Sequence, residues 1–210
     1  MRLTRPKRKQ QTRERLLETA LEIFLQRGYY ATTLDDIADA ADLTKGAVYS
    51  NFSSKDDLFL AVYARRVDER IREVEAAGRR ATLAEGARAN ARRIAARHAR
   101  GPEWHALLLE FTTYAVRHPE LRRRVAREHR RLVDAIAESI EAAVAREGVV
   151  LSVPSRTLAL AASAIGSGVR MERDIDPDDT PGDLMETAME LLFRAVASDA
   201  PRRKEKGRHQ

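Results

Sequence analysis

The chain has 210 residues, 43% of them hydrophobic and 33% charged, with a formal net charge of +6 and no cysteine. That length can bury a sizeable core, either as one large domain or as a small one joined to a medium one. The missing cysteines exclude disulfides, thiolate metal sites and cysteine catalysis. No run approaches the roughly 18 apolar residues of a membrane span. The N-terminus also lacks an apolar stretch with a cleavage site, so no signal peptide is expected and the location is read as cytoplasmic.

The chain opens on a basic arm over residues 1–9. Arg2, Arg5, Lys7, Arg8, Lys9, Arg13 and Arg15 stand against Glu14 alone in the first fifteen residues, the electrostatic footprint of a phosphate-contacting segment. Residues 10–27 follow as an amphipathic helix with Leu16, Leu17, Ala20, Ile23 and Phe24 on one stripe, stopped by Gly28. Tyr29 is expected in the core. Thr33 and Asp36 are three apart, the spacing of a capping box, and open a short helix over residues 34–40 with Leu34, Ile37 and Ala38 inward. Leu43 plugs a tight turn, and a second short helix is expected over residues 44–52 with Thr44 as its N-cap and Val48 as its anchor. Little else in that helix is apolar. Lys45, Gly46, Ala47, Tyr49, Ser50 and Asn51 leave a small, hydrogen-bonding, cationic face that suits a groove of DNA, with Lys55 placed to hold a phosphate beyond it. Ser54 and Asp57 repeat the capping spacing and start a long helix reaching about residue 77.

The run through Gly28, Tyr29, Thr32, Thr33, Ile37, Ala38, Ala41, Leu43, Lys45, Gly46, Tyr49, Phe52, Lys55 and Leu58 resembles, without a gap, the DNA-binding domain of TetR-family transcriptional regulators. The spacing Tyr-x-x-Phe-x-x-Lys-x-x-Leu is its most specific part. The resemblance covers roughly residues 10–60. It implies a DNA-contact set of Thr33, Thr44, Lys45, Gly46, Ala47, Tyr49, Ser50, Asn51 and Lys55. It also implies a helix over residues 58–77 that connects the DNA-binding domain to a helical domain that senses a ligand and dimerises.

Beyond it, residues 79–100 read as an Ala- and Arg-rich helix with a thin buried stripe, its arginines solvating rather than forming a second nucleic-acid site. Gly101-Pro102 breaks it. Residues 103–117 form a helix with a broad apolar face, His118-Pro119 breaks the chain again, and residues 120–146 form a long helix with a charged middle around Arg127 to Arg131. The segment from Ser155 to Arg173 is rich in Ala, Ser and Gly, which lets another helix approach closely. Thr180 with Asp183 is expected to cap a last helix over residues 181–197. That helix shows two apolar faces, Leu184, Ala188, Leu191 and Ala195 beside Met185, Met189, Leu192 and Val196, as a dimer-forming helix would. Residues 200–210 read as a disordered basic tail.

Five histidines offer no metal-ligand spacing. The Gly166-Ser167-Gly168 stretch lies inside an apolar helix and cannot cradle a phosphate. No catalytic arrangement is present, and neither a cofactor nor an enzyme is expected. A family-type apolar pocket would draw on Trp104, Phe111, Tyr114, Met171 and Phe193, with Asn90, His98 and His118 as polar anchors.

The expected fold is all-α: an N-terminal three-helix helix-turn-helix DNA-binding domain over residues 10–57, a connecting helix over 58–77, and a larger helical ligand-binding and dimerisation domain over 78–199. The expected function is a homodimeric repressor of a palindromic operator on double-stranded DNA, released by a hydrophobic small-molecule effector, with its dimer contact mainly in the helices at 155–173 and 181–197. An activator or ligand-independent regulator of the same fold remains open, as does a helical small-molecule-binding or adaptor protein that does not bind DNA.

Overall fold

The computed structural model describes residues 5–78, 82–101 and 103–199. The first four residues of the arm, the start of the expected helix at 79, Pro102 and the tail from 200 lie outside them. Helices α1 (Arg5–Arg27), α2 (Leu34–Ala40), α3 (Lys45–Tyr49), α4 (Lys55–Gly78), α5 (Leu83–Arg100), α6 (Glu103–Val116), α7 (Pro119–Glu147), α8 (Ser155–Ile175) and α9 (Leu184–Val196) are joined by two short strands, β1 (Val149–Leu151) and β2 (Ala197–Asp199). The chain divides into two compact units, Met1–Ile71 with Arg97–Leu132, and Arg72–Ala96 with Val133–Gln210. Helices α4, α5 and α7 contribute residues to both.

In the first unit, α1 starts five residues before the expected Gln10, so the backbone of Arg5 to Lys9 is helical rather than a loose arm. Gly28 ends α1 at φ 77, the left-handed conformation only glycine adopts cheaply, and its N–H returns to Phe24 O at 2.9 Å. The Thr33 box forms as expected: Thr33 N donates to Asp36 Oδ2 at 2.8 Å and Asp36 N to Thr33 Oγ1 at 3.1 Å. The turn after α2 passes through Asp42 at φ 51 and returns Leu43 N to Ala38 O at 3.0 Å. Beneath these elements Leu16, Ala20, Phe24, Ile37, Val48, Leu58 and Phe59 are fully buried. Aromatic rings join the layers. Phe59 meets Phe24 edge-on at 5.0 Å and lies 4.0 Å from Phe111 of α6, and Phe111 meets Tyr29 at 5.1 Å.

The second unit packs α8 against α9, with Leu83, Ala91, Ile94, Val133, Leu158, Met185, Met189 and Phe193 in its core. Small residues serve that packing where α8 faces inward. A Cβ on Gly166 would meet Ile94 Cδ1 at 3.7 Å and Met189 Cε at 3.8 Å, whereas one on Gly168 would meet nothing within 4 Å. Thr82 and Glu85 form a capping box, which sets the start of α5 at Leu83. The Thr180 cap does not form: its hydroxyl donates to Asp176 O at 2.6 Å, and α9 starts at Leu184 without a side-chain cap. The strand pair was not expected. Val149, Val150 and Leu151 leave Gly148 (φ 66) as a β-favouring run and pair antiparallel with Asp199, Ser198 and Ala197, which turns the end of the expected last helix into a strand.

Candidate nucleic-acid interface and regulatory cavity

The recognition element is α3, five residues long where residues 44–52 were expected. Its start is set by Thr44, whose Oγ1 accepts from Ala47 N at 3.2 Å. Its end is set by two side chains that bond back onto the same carbonyl: Ser50 Oγ and Asn51 Nδ2 donate to Ala47 O at 2.9 and 2.8 Å. The chain then turns and buries Phe52 at 4% exposure. Val48 is the inward anchor, and Thr44, Lys45, Gly46, Tyr49 and Ser50 stay exposed on the other side. Tyr49 keeps 55% of its surface in solvent. A Cβ on Gly46 would meet only Thr44 Oγ1, at 3.9 Å, so the fold itself makes no demand for glycine there.

Two lysines of the expected contact set are already engaged. Lys45 Nζ lies 2.6 Å from Asp35 Oδ2 of α2, and that hydrogen bond holds its pKa above the usual lysine value. Lys55 Nζ donates to Tyr29 O at 2.8 Å and Tyr30 O at 3.3 Å and sits 4.5 Å from the centre of the Tyr29 ring. Burial lowers its pKa, with Asp56 opposing. An ammonium has three protons; with two on main-chain carbonyls, Lys55 has one left for a phosphate.

Asp56 and Glu110, not singled out by sequence, hold Tyr29. The Tyr29 hydroxyl donates to the Asp56 carboxylate in a short hydrogen bond; burial and then that bond raise its pKa, so it stays protonated as a donor. Glu110 of α6 accepts from Tyr29 N at 2.9 Å, and a Cβ on Gly28 would lie 2.9 Å from both of its carboxylate oxygens. Glu110 is the one charge between Glu103 and Arg117. A lone acid on an apolar helix was the available signal. Asp35 left none, and Arg13, 4.4 Å over the Phe52 ring, was read only as part of the basic N-terminal charge.

The expected pocket residues divide. Phe111 is fully buried among Phe59 and Tyr29, and Trp104 stacks on Phe59 at 6.3 Å beneath Arg66. Tyr114 lies 5.2 Å from Tyr29. These three serve the core of the first unit. Met171 is 41% exposed on the outer side of α8. His98 and His105 are buried against each other at 6.1 Å, and His118 Nδ1 meets Tyr114 O at 2.8 Å. Asn90 and Phe193 line a small, partly open cavity of about 60 Å³ in the second unit, among Val74, Ala77, Thr82, Leu83, Gly86, Ala87, Ile136, Ser139, Ile140 and Ala143, with no charged side chain on its wall. Sequence named only Asn90 and Phe193 of its wall, because the rest belongs to stripes of α4, α5 and α7 that read as ordinary helix packing. Among the described residues no His, Cys, Asp and Glu cluster could hold a metal, and no helix is long and apolar enough to cross a membrane.

A short, capped, outward helix on a three-helix base defines a helix-turn-helix regulator of transcription. The family profile described as bacterial regulatory proteins of the tetR family matches residues 16–62, and that of the BetI-type transcriptional repressor C-terminal domain matches residues 83–198. The chain belongs to the TetR family, whose members are DNA-binding transcription factors and not enzymes. It is 46% identical over 70 residues to the HTH-type transcriptional activator FasR of Mycolicibacterium smegmatis, covering 33% of this chain and 32% of that protein. It is 30% identical over 129 residues to the HTH-type transcriptional repressor AcnR of Corynebacterium diphtheriae, covering 61% and 63%. The chain thus spans about a third of the first relative's length and under two-thirds of the second's. The regulator FadR of Bacillus subtilis, solved in complex with stearoyl-CoA, has the same fold with a TM-score of 0.71 at 16% identity, over 86% of this chain and 97% of that one.

Proposed function

We propose that the protein is a homodimeric repressor that occupies a palindromic operator and leaves it when a small apolar effector binds the second unit. The domain limits assigned to this role are a basic arm over 1–9, the DNA-binding domain over 10–57, the connecting helix over 58–77, the regulatory domain over 78–199 and a basic tail over 200–210. Thr33, Thr44, Lys45, Gly46, Ala47, Tyr49, Ser50, Asn51 and Lys55 make the DNA contacts. Support comes above all from α3, held at both ends by caps while its outer face carries exposed Lys45, Gly46, Tyr49 and Ser50.

The dimer contact falls on α8 and α9. Leu160, Ala164, Gly168 and Met171 recur at helical spacing on the exposed side of α8, and Leu191 of α9 is 61% exposed. Buried Met185, Met189 and Phe193 occupy the other face of α9, so its second apolar face is available to a partner copy. The effector binds in the uncharged cavity of the second unit. Its wall favours a neutral apolar body with one polar group near Asn90 or Ser139. The stearoyl-CoA complex of the Bacillus subtilis relative agrees with a fold that receives apolar chains. Helix α4 carries Lys55 at its start and supplies Val74 and Ala77 to the cavity near its end, so displacement of its second half is passed along one helix to Lys55. Repressor is the sign named for AcnR and for the probable acrEF/envCD operon repressor of Escherichia coli, against the activator FasR. Effector affinity limits the response: operator binding falls by the preference of the ligand for the DNA-incompetent state and no further.

Fragments selected from random DNA, titrated with a panel of apolar small molecules, test this reading. At least one compound should release the DNA, and an Ile140→Glu variant, with a charge placed on the cavity wall, should ignore it. Release unaffected by that variant would move the effector elsewhere.

A further inference from the structure

Beside the last turn of α3 the first unit carries an open cleft, lined by Tyr49 and Asn51 on one side and by Arg124, Arg127 and Glu128 of α7 on another, with Arg13 of α1 also on its wall. Its charges are unevenly satisfied. Asp57 is matched by Arg124 at 2.6 Å, and Glu128 by Arg131 at 2.5 Å. Arg13 rests on the Phe52 ring with its NH1 3.5 Å from Asn51 O, and no acid pairs with it among the described residues. Arg127 is exposed and makes no hydrogen bond or ion pair among the described residues. Arg123 and Arg130, both exposed, stand four residues before it and three after, on one stripe of α7, with Arg123 paired to Glu120 on its own helix. Arginines that only solvate a helix need no cleft. Here the uncompensated ones share a wall with the hydroxyl end of the recognition helix.

We propose that α7 adds a backbone contact to the DNA interface: Arg127, helped by Arg123 and Arg130, takes a phosphate of the duplex flanking the stretch that α3 enters. Guanidinium groups bind phosphate through paired N–H donors and carry no base information, so the contact extends the footprint and strengthens binding without altering sequence preference. The inference rests on the DNA-binding reading above.

The test measures affinity for a wild-type-selected duplex across a salt series, for Arg127→Ala, Arg127→Glu and an Arg93→Ala control on α5. Arg127→Ala should bind about 3- to 10-fold more weakly and flatten the salt slope by about one unit. The glutamate should lose more, and the control should match the wild type. Selected sequences should stay the same, and the Arg127→Ala deficit should vanish on a duplex trimmed of its flanks. Unchanged slopes in both Arg127 variants, or a deficit that persists on the trimmed duplex, would overturn the proposal. So would inorganic phosphate at fixed ionic strength competing only with the wild type while slopes agree, since the cleft would then serve a free anion. A wild type that selects no DNA fails the function reading instead, and is told apart by that.

Discussion

Replacing Phe111 with alanine should lower the unfolding free energy by about 3–5 kcal/mol, the range for a large aromatic removed from a core that cannot collapse around the gap. The ring has no exposed surface, lies 4.0 Å from Phe59 of α4 and 5.1 Å from Tyr29 of the turn after α1, and so ties three elements of the first unit together. Aromatic pairs add about 0.5–1.5 kcal/mol beyond the area they bury. Urea unfolding of the variant should show an earlier midpoint at unchanged slope, while Phe111→Leu, which keeps most of the volume, should lose under about 1.5 kcal/mol. The same experiment separates the two roles considered for this residue. A side chain lining an effector cavity would change effector affinity with little cost to stability; a loss below about 1 kcal/mol would therefore speak for the cavity and against the core.

Lys45→Ala should weaken operator binding roughly five- to 150-fold if the ammonium reads a guanine edge, and should relax preference at one position of each half-site. The structure adds a competitor that spacing could not show. Asp35 holds Lys45 at 2.6 Å, so DNA must draw the lysine from a carboxylate that itself repels phosphate. Binding titrations on the selected site and on scrambled DNA decide the role. A loss confined to the selected site marks base readout, an equal loss on both marks a phosphate contact, and no loss on either removes Lys45 from the interface.

How much of this was legible in sequence follows from the range of each interaction. The Thr33 and Asp36 pair and the Gly28 stop act within four residues, and they appear where the spacing placed them. Val48 and Tyr29 were read as core and are buried. What spacing could not show came from contacts between segments far apart in the chain. The role of Lys55 depends on carbonyls 25 and 26 residues away, and that of Glu110 on an amide 81 residues away. Trp104, Phe111 and Tyr114 looked equally suited to a core or a cavity because an apolar face does not state what covers it. Three-residue strands such as β1 and β2 are too short for alternation to register. Ser50 and Asn51 shortened α3 by bonding backward, a choice their composition allowed without announcing.

The account rests on two copies of α3 presented together to one duplex. Selection from random DNA, followed by sedimentation of the protein with the winning fragment, tests that most directly. The account predicts an inverted repeat whose half-sites lie about one helical turn, roughly 34 Å, apart or a multiple of it, with an even number of chains on each duplex. A single chain bound to an unrepeated site would contradict it.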